Sequence, residues 1–525
     1  MPFADTPVAV TTAAQAAARD ASATADGIPP RALMRQAGAA AAAEIAHRFA
    51  HRLGRGVAVY AGAGNNGGDA WVVARTLAAS GVRVRVHEVE GARSPDAIAE
   101  RAAALAVIDA APPHGGEEIV VDGILGTGAH GAPRGAIADG VRRVNALRAN
   151  GAAVVALDVP SGLDATTGAA ADTVHADVTL TFGTVKRGLL VARSRAGAIV
   201  VLDIGLGAHA ALDDGAPALV GAAWVAHRLP PIAAEAHKGT RKKIGIVGGA
   251  SGMAGATVMA ARAALASGAG LVQVVAHADS IRAVQAAVPQ ALAAPWPGAD
   301  DGDALRALVA WADALLIGPG LGRGEGAHAL VERLLATFRG PVVLDADALN
   351  AFSGDAAALG ALLHGRPSML TPHATECARL AGVTTDHVLA HRFEIGADVA
   401  RVTHAVVLLK GVPTIVSNSN GARFVSASGT PMLGTGGSGD ILGGIAATLL
   451  AQHGDAASAA AMAAWVHGRA AEIVSAGRAT RGTSLDDLLV ALPSVWDERP
   501  PPPRAPVLAE LPAVGDDIAA TPSAT

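Results

Sequence analysis

Residues 57–69, VAVYAGAGNNGGD, admit few folds. A short apolar β-type segment at 57–60 runs into a glycine-rich turn, and a helical pattern at 70–80 follows, closed by Gly81. At such a junction backbone N–H groups and a helix N-terminus converge on an anion, the place where open parallel sheets bind ligands. Further turn-bounded strand candidates at 82–86, 119–122, 152–158, 177–182 and 199–203, with helical patterns at 31–50 and 136–149, make a βαβ series. A second series has strands at 243–247, 271–276, 314–317, 342–345, 368–370 and 405–410, and helices at 253–267, 279–287, 373–381 and 440–452. The length, 525 residues, suits two domains better than one core. Two tandem α/β domains are therefore expected, at about 1–215 and 225–495, joined where periodicity fades around 205–236. Past Trp496 the run DERPPPPRAP resists helix and central strand, so 497–525 is expected to be an extended or disordered tail serving neither domain.

Composition agrees. With 51% hydrophobic and 17% charged residues the chain is not intrinsically disordered, while 3% aromatics and 63 glycines favour small-residue helices on parallel sheets over an aromatic-layered sandwich. A net charge of -5 favours neither nucleic acid nor an acidic membrane. The single cysteine, Cys377, excludes an internal disulfide and a multi-cysteine zinc site, and no activating partner beside it is visible. The opening MPFADTPVAV lacks the basic start and apolar core of a signal peptide, and no apolar stretch reaches the roughly 20 residues of a membrane span. A cytoplasmic protein is expected.

Two more strand ends join the first glycine turn. VVDGILGTG (120–128) ends a strand with Asp122 and a second glycine loop, and VVALDVPSGLD (154–164) carries Asp158 and Ser161. Asn66, Asp122, Asp158 and Ser161 offer only oxygen ligands, which suits a hard cation. The glycines at 62, 64, 67 and 68 would let backbone approach a phosphate, with Asn65, Asn66 and Asp69 adding oxygens. The plainer alternatives are a tight turn with Asp69 as helix cap, and Asp158 capping its own loop.

These loops, with TFGTVKRGL (181–189), resemble the NAD(P)H-hydrate epimerase family in motif order over roughly 30–205. The resemblance implies a Rossmann-like three-layer domain. It implies that Asn65, Asn66, Gly67, Gly68, Asp69, Gly126, Thr127, Gly128, Ala129, His130, Gly131, Ala132 and Asp158 line a hydrated-nicotinamide site, and that Asn66, Asp122 and Ser161 hold potassium. Asp158 is the candidate base. Ala63 stands where the family often has Pro, which affects the stiffness of the loop.

In the second series GTGGSGD (434–440) opens an apolar helical run. Successive glycine N–H groups make an anion hole, and the Asp440 carboxylate beside it is set to take a proton from a hydroxyl attacking phosphorus; a plain loop with Asp440 as cap is the alternative. Gly443 and Gly444 suit close helix packing. Strand ends at GPGLG (318–322) and LDADALN (344–350), with TPH (371–373) and LKG (409–411), complete a cleft. His373 as a polar loop residue and Lys410 as a solvated strand end are the alternatives there. The set, with HKG (237–239), resembles the ADP-dependent NAD(P)H-hydrate dehydratase family, itself similar to ribokinase-like kinases, over roughly 225–490. By that resemblance Ala256, Gly322, His373 and Asp440 contact the hydrated dinucleotide, and Lys410, Gly411, Val412, Pro413, Thr414 and Gly439 the adenine nucleotide, with magnesium on the ADP phosphates. Ala374 and Thr375 replace the family's usual Pro-Gly, which alters the loop carrying His373.

The joint expectation is a bifunctional repair enzyme for hydrated NADH and NADPH, a homo-oligomer acting on small molecules without nucleic acid or membrane. The rivals are a ribokinase-like small-molecule kinase fused to a non-catalytic nucleotide-ligand-binding domain, and a first domain that only senses its ligand.

Overall fold

The computed structural model describes residues 8–108, 116–296 and 303–514. The chain divides into two compact units: the first runs to Ala218 and takes the chain back from Pro501, and the second is Leu219–Pro500.

The first unit is built on a seven-stranded sheet in the order Val84–Glu88, Val57–Ala61, Ile119–Gly123, Ala153–Leu157, Val178–Phe182, Ala198–Leu202, Val507–Leu511, parallel except for the last strand. The central strands are buried at every position because helices cover both faces, which is why they read as unbroken apolar runs. Val57 and Val59 pack with Trp71 and Leu77 on one face, while Ala58 and Tyr60 pack with Val141 and Val144 on the other. Chain order reverses between Val57–Ala61 and Ile119–Gly123, and at that switch point both glycine turns leave the sheet.

In the second unit the order is Leu292–Pro295, Leu271–Ala276, Lys243–Val247, Ala314–Ile317, Val342–Leu344, Ser368–Leu370, Val406–Leu409, Thr414–Ser417, Arg423–Ser426. The last two strands are antiparallel additions after the predicted series ends, and Leu292–Pro295 is an unpredicted edge strand, the position at which a proline is tolerated. The switch point lies between Lys243–Val247 and Ala314–Ile317. Helix Ser438–His453 lies so close to helix Ala254–Ala266 that a Cβ on Gly444 would sit 2.2 Å from the carbonyl oxygen of Ala260. Gly444→Ala is expected to lower the stability of this unit by roughly 1–3 kcal/mol, read as an earlier urea midpoint for loss of its activity.

The expected tail departs from the sequence reading. Beyond helix Leu485–Trp496 the proline run stays extended, and Val507–Leu511 pairs antiparallel with Ala198–Leu202, Asp203 N–H donating to the Pro506 carbonyl at 2.7 Å. The Arg504 guanidinium grips buried Glu44 with two hydrogen bonds of 2.6 and 2.9 Å, and Arg193 donates to the Pro512 carbonyl. Proline bars helix and central strand, but it leaves the residues beyond it free to pair at an edge. Residues 515–525 of the expected tail lie outside the described residues.

Candidate active sites

In the first unit helix Asn65–Ala79 starts inside the glycine motif, five residues earlier than its apolar pattern. Gly64 is its N-cap and supplies no side-chain bond, so the first-turn N–H groups are free for an anion. Asp69 therefore lies beyond the first turn and caps nothing. Two of the glycines serve packing instead of ligand approach: a Cβ on Gly67 would meet the Gly62 carbonyl at 1.9 Å, and one on Gly68 the Met34 side chain at 2.6 Å. The cavity here, about 680 Å³, is lined by Asn65, Asn66, Asp69, Gly126, Thr127, Gly128, Ala129 and Asp158 among others. His130 instead reaches Asp164 at 3.3 Å, and Gly131 and Ala132 line a separate small cavity.

Asp158 sits in the left-handed region at φ 62°, a costly conformation for a residue with a side chain. Bonds to its carboxylate hold it there: the buried Lys186 ammonium donates to Oδ1, and the Thr181 hydroxyl does so at 3.2 Å. Lys186 also donates to the Phe182 carbonyl at 3.0 Å, so the ion pair is fixed to the neighbouring strand and Asp158 does not cap its own loop. Lys186, on the cavity wall, was marked only by its place in TFGTVKRGL. Helix Ala13–Ala25, which brings Arg19 and Asp20 to the same wall, lies ahead of the first predicted element and was missed.

Asn66, Asp122 and Ser161 come together as expected. Ser161 donates through N–H (2.8 Å) and hydroxyl (2.7 Å) to the Asp122 carboxylate, while the Asn66 amide donates to the carbonyls of Leu125 and Leu157 at 2.7 and 3.1 Å. The buried Asn66 Oδ1 has no hydrogen-bond partner, an oxygen set that fits a hard cation. Burial raises the Asp122 carboxyl to about 6, against the lowering effect of the Ser161 bonds.

In the second unit Gly437 is the N-cap of helix Ser438–His453, again without a side-chain bond; the Ser438 N–H donates to the Thr435 carbonyl at 3.2 Å, and Asp440 stands in the first turn, where its own N–H and that of Gly439 remain for an anion. Asp440 is thus not the cap. Burial, then neighbouring Asp345, push its carboxyl up to about 7, with Lys410 opposing. The Lys410 ammonium is not a freely solvated strand end but a partly buried, paired group: it donates to Asp345 Oδ1 at 2.9 Å, lies 3.8 Å from Glu376 Oε2, and would be 3.4 Å from a Cβ on Gly439. Ala346, at φ 50°, turns the chain between Asp345 and Asp347, and Asp347 accepts the Gly322 N–H at 2.9 Å. Ala256 packs nearby, at 3.1 Å from a Cβ on Gly320. His373 caps helix Ala374–Ala381: its Nδ1 accepts the N–H groups of Thr375 and Glu376 at 3.1 and 3.3 Å, and Glu376 accepts the His373 N–H at 2.9 Å. That reciprocal cap holds the loop although the Pro-Gly pair is missing. Gly411, Val412, Pro413 and Thr414 form the turn into strand Thr414–Ser417; Arg392 donates to the carbonyls of Val412 (2.5 Å) and Pro413 (3.0 Å), leaving the Val412 side chain exposed. Cys377 is buried and its thiol is pushed up to about 11 by burial, as suits an inert side chain.

An open, mainly parallel sheet with a helix N-terminus and a carboxylate at its ligand-binding end, twice on one chain, defines a protein of two doubly wound α/β domains built to hold small anionic ligands. Residues 30–188 match the family model described as YjeF-related protein N-terminus, and 244–494 the model described as NAD(P)H-hydrate dehydratase. The bifunctional NAD(P)H-hydrate repair enzyme of Moorella thermoacetica is 37% identical over 495 residues, 89% of this chain and 92% of that protein. That of Salinibacter ruber is 38% identical over 514 residues, 90% and 93%. Among solved structures, the ADP/ATP-dependent NAD(P)H-hydrate dehydratase of Bacillus subtilis, co-crystallised with ATP and Mg2+, is 27% identical, covering 52% of this chain and 95% of that one at a TM-score of 0.46. The chain belongs to the family of bifunctional NAD(P)H-hydrate repair enzymes. Among the described residues no helix is long and apolar enough to cross a membrane.

Proposed function

We propose that residues 1–215 interconvert the two C6 epimers of hydrated NADH and NADPH, and that 225–495 dehydrate the S epimer with ADP, giving AMP and phosphate. Hydration at C6 makes both epimers, so a stereospecific dehydratase alone would strand one of them. The observation that carries this reading is the pairing, in each unit, of an uncapped helix N-terminus with a carboxylate: Asp158 on the first cavity, Asp440 in the first turn of the second helix.

In the second unit Asp440 takes the proton of the C6 hydroxyl as it attacks the β-phosphorus of ADP, and the glycine N–H groups receive the phosphoryl oxygens. Phosphate then leaves C6 far more readily than hydroxide would, helped by the ring-nitrogen lone pair, and loss of a C5 proton to the departing phosphate or water forms the C5=C6 double bond and restores the dihydropyridine. Ala256, Gly322 and His373 are assigned to the hydrated ring, and Lys410 to Thr414 with Gly439 to the nucleotide, the Lys410 ammonium acting from its carboxylate cradle. Magnesium is assigned to the ADP phosphates, where it would neutralise charge, as in other phosphoryl transfers. Asn66, Asp122 and Ser161 are assigned to potassium, which would supply a fixed positive charge under the substrate.

An epimer mixture of hydrated NADH incubated with ADP should recover all of its NADH absorbance. Recovery of only the S fraction would rule out an active epimerase, and recovery with ATP but not ADP would overturn the phosphoryl donor.

A further inference from the structure

Epimerisation of a C6 hydroxyl next to a ring nitrogen needs two proton transfers, and Asp158 accounts for one. The first unit's cavity carries four further carboxyl groups: Asp69 from helix Asn65–Ala79, Asp20 from helix Ala13–Ala25, Glu90, which is paired with Arg93 at 3.1 Å, and Asp96 in the first turn of helix Pro95–Leu105. Asp20 is exposed; Asp69 is half-buried on a helix locked by its glycine contacts. The two carboxyl groups of interest differ in kind. Asp158 is ion-paired to Lys186, whereas among the described residues no ion pair or hydrogen bond reaches the Asp69 carboxyl. Asp69 reaches the cavity from helix Asn65–Ala79 and Asp158 from the end of strand Ala153–Leu157, so the two line one cavity from different elements of the sheet and its helix layer.

We propose that Asp69 is the second acid–base group of the epimerisation, exchanging a proton with the ring nitrogen while Asp158 exchanges one with the C6 hydroxyl. The inference rests on the epimerase reading above. In the forward half-reaction the Asp158 carboxylate removes the hydroxyl proton, the oxygen electrons form the C6 carbonyl, and the C6–N1 bond breaks with its electron pair on N1, which takes the proton of Asp69. The open aldehyde turns about its C5–C6 bond. The Asp69 carboxylate then withdraws the N1 proton, N1 closes on the other face of the carbonyl, and the oxygen recovers its proton from Asp158. Both residues end as they began, and no oxidant or reductant enters.

The state of Asp69 suits the role. Burial, then Asp158 and Asp20, raise its carboxyl well above the usual range, with Lys186 opposing, a direction that favours the protonated form a general acid needs.

Full-length Asp69→Asn, given the R hydrate of NADH without ADP, is the test, with epimers separated by chromatography. Epimer exchange should lose at least roughly 100-fold in kcat with KM within about threefold, and the alkaline limb of the wild-type kcat profile should vanish. Calorimetric binding of the hydrate reports that the first unit is folded. Asp69→Glu, which keeps the ionisable proton, should exchange at least about ten times faster than the Asn variant. A kcat within about threefold of wild type in Asp69→Asn, a change confined to KM, or a Glu variant as slow as the Asn variant would each overturn the role of Asp69. Failure of the unaltered enzyme to exchange epimers would overturn the epimerase reading itself.

Discussion

Replacing Asp440 by Asn is expected to lower the ADP-dependent dehydration rate by roughly 10²–10⁴-fold, the contribution of a positioned base, while epimer exchange in the first unit stays intact. The unaltered enzyme should show the same group in its pH profile. Asp440 works as a base only when ionised, and burial with Asp345 as neighbour holds its carboxyl at about 7. Hence kcat/KM for the S hydrate should fall about tenfold per pH unit below 7 and level off above it. Stability runs the other way. A carboxyl whose folded pKa lies above its unfolded value costs stability as pH rises through the interval between them, here from about 4 to about 7. Asp440→Asn should therefore unfold later than wild type at pH 8 and lose that advantage by pH 4, as thermal scans followed on the second unit would show. An inactive variant whose stability advantage builds up between about pH 4 and about pH 7 and is full above that would identify a base held in a costly environment. Equal stability at both pH values, or retained dehydration, would exclude that role.

What the sequence disclosed and what it concealed follow from where the information resides. Strands such as Val57–Ala61 and Ala153–Leu157 are buried on both faces, so each appears as an apolar run bounded by turns. Helix Ala13–Ala25 is mostly alanine, which is acceptable to core and solvent alike, and helix Ala456–Ser475 is buried along most of its length and so shows little polar face. Asp158 and Asp440 were legible because each directly follows a strand or a glycine turn. The pairings of Lys186 with Asp158 and of Lys410 with Asp345 were not, since they join segments 28 and 65 residues apart and depend on strand order. The glycines at 67 and 68 show the opposite error: a glycine that admits a phosphate and one that admits a neighbouring helix or turn are the same letter. Only the carbonyl of Gly62 and the side chain of Met34 separate the two cases.

The strand at 507–511 was the largest surprise, and it carries the last expected result. It lies beyond the residues matched by either family model. It covers the edge of Ala198–Leu202, whose Ile199, Val200, Val201 and Leu202 are fully buried, and it brings Arg504 onto Glu44. Truncation after Pro500 should uncover that edge and leave Glu44 with Arg48 as its one remaining partner, at 2.5 Å. An exposed apolar strand edge invites pairing between chains. The truncated protein is expected to lose epimer exchange and to aggregate on mild warming, while ADP-dependent dehydration survives. The milder Arg504→Ala isolates the ion pair. A fully enclosed pair that loses one partner costs about 3–5 kcal/mol, and about 2 kcal/mol is expected here because Arg48 remains and the Arg504 side chain is 39% exposed. Burial alone would raise the Glu44 carboxyl, but the bonds from Arg504 and Arg48 outweigh it and hold it below the usual range. Stability from a lowered carboxyl is present above its unfolded pKa and is lost as pH falls through the folded one. The gap between wild type and Arg504→Ala should therefore be widest near pH 7 and close toward pH 3, measured as the urea concentration at which epimer exchange or protease resistance of the first unit is lost. A gap that did not narrow with acid would mean that Arg504 acts through packing of its stem, and a truncated chain with full epimer exchange would reduce the strand to an ornament of the sheet edge.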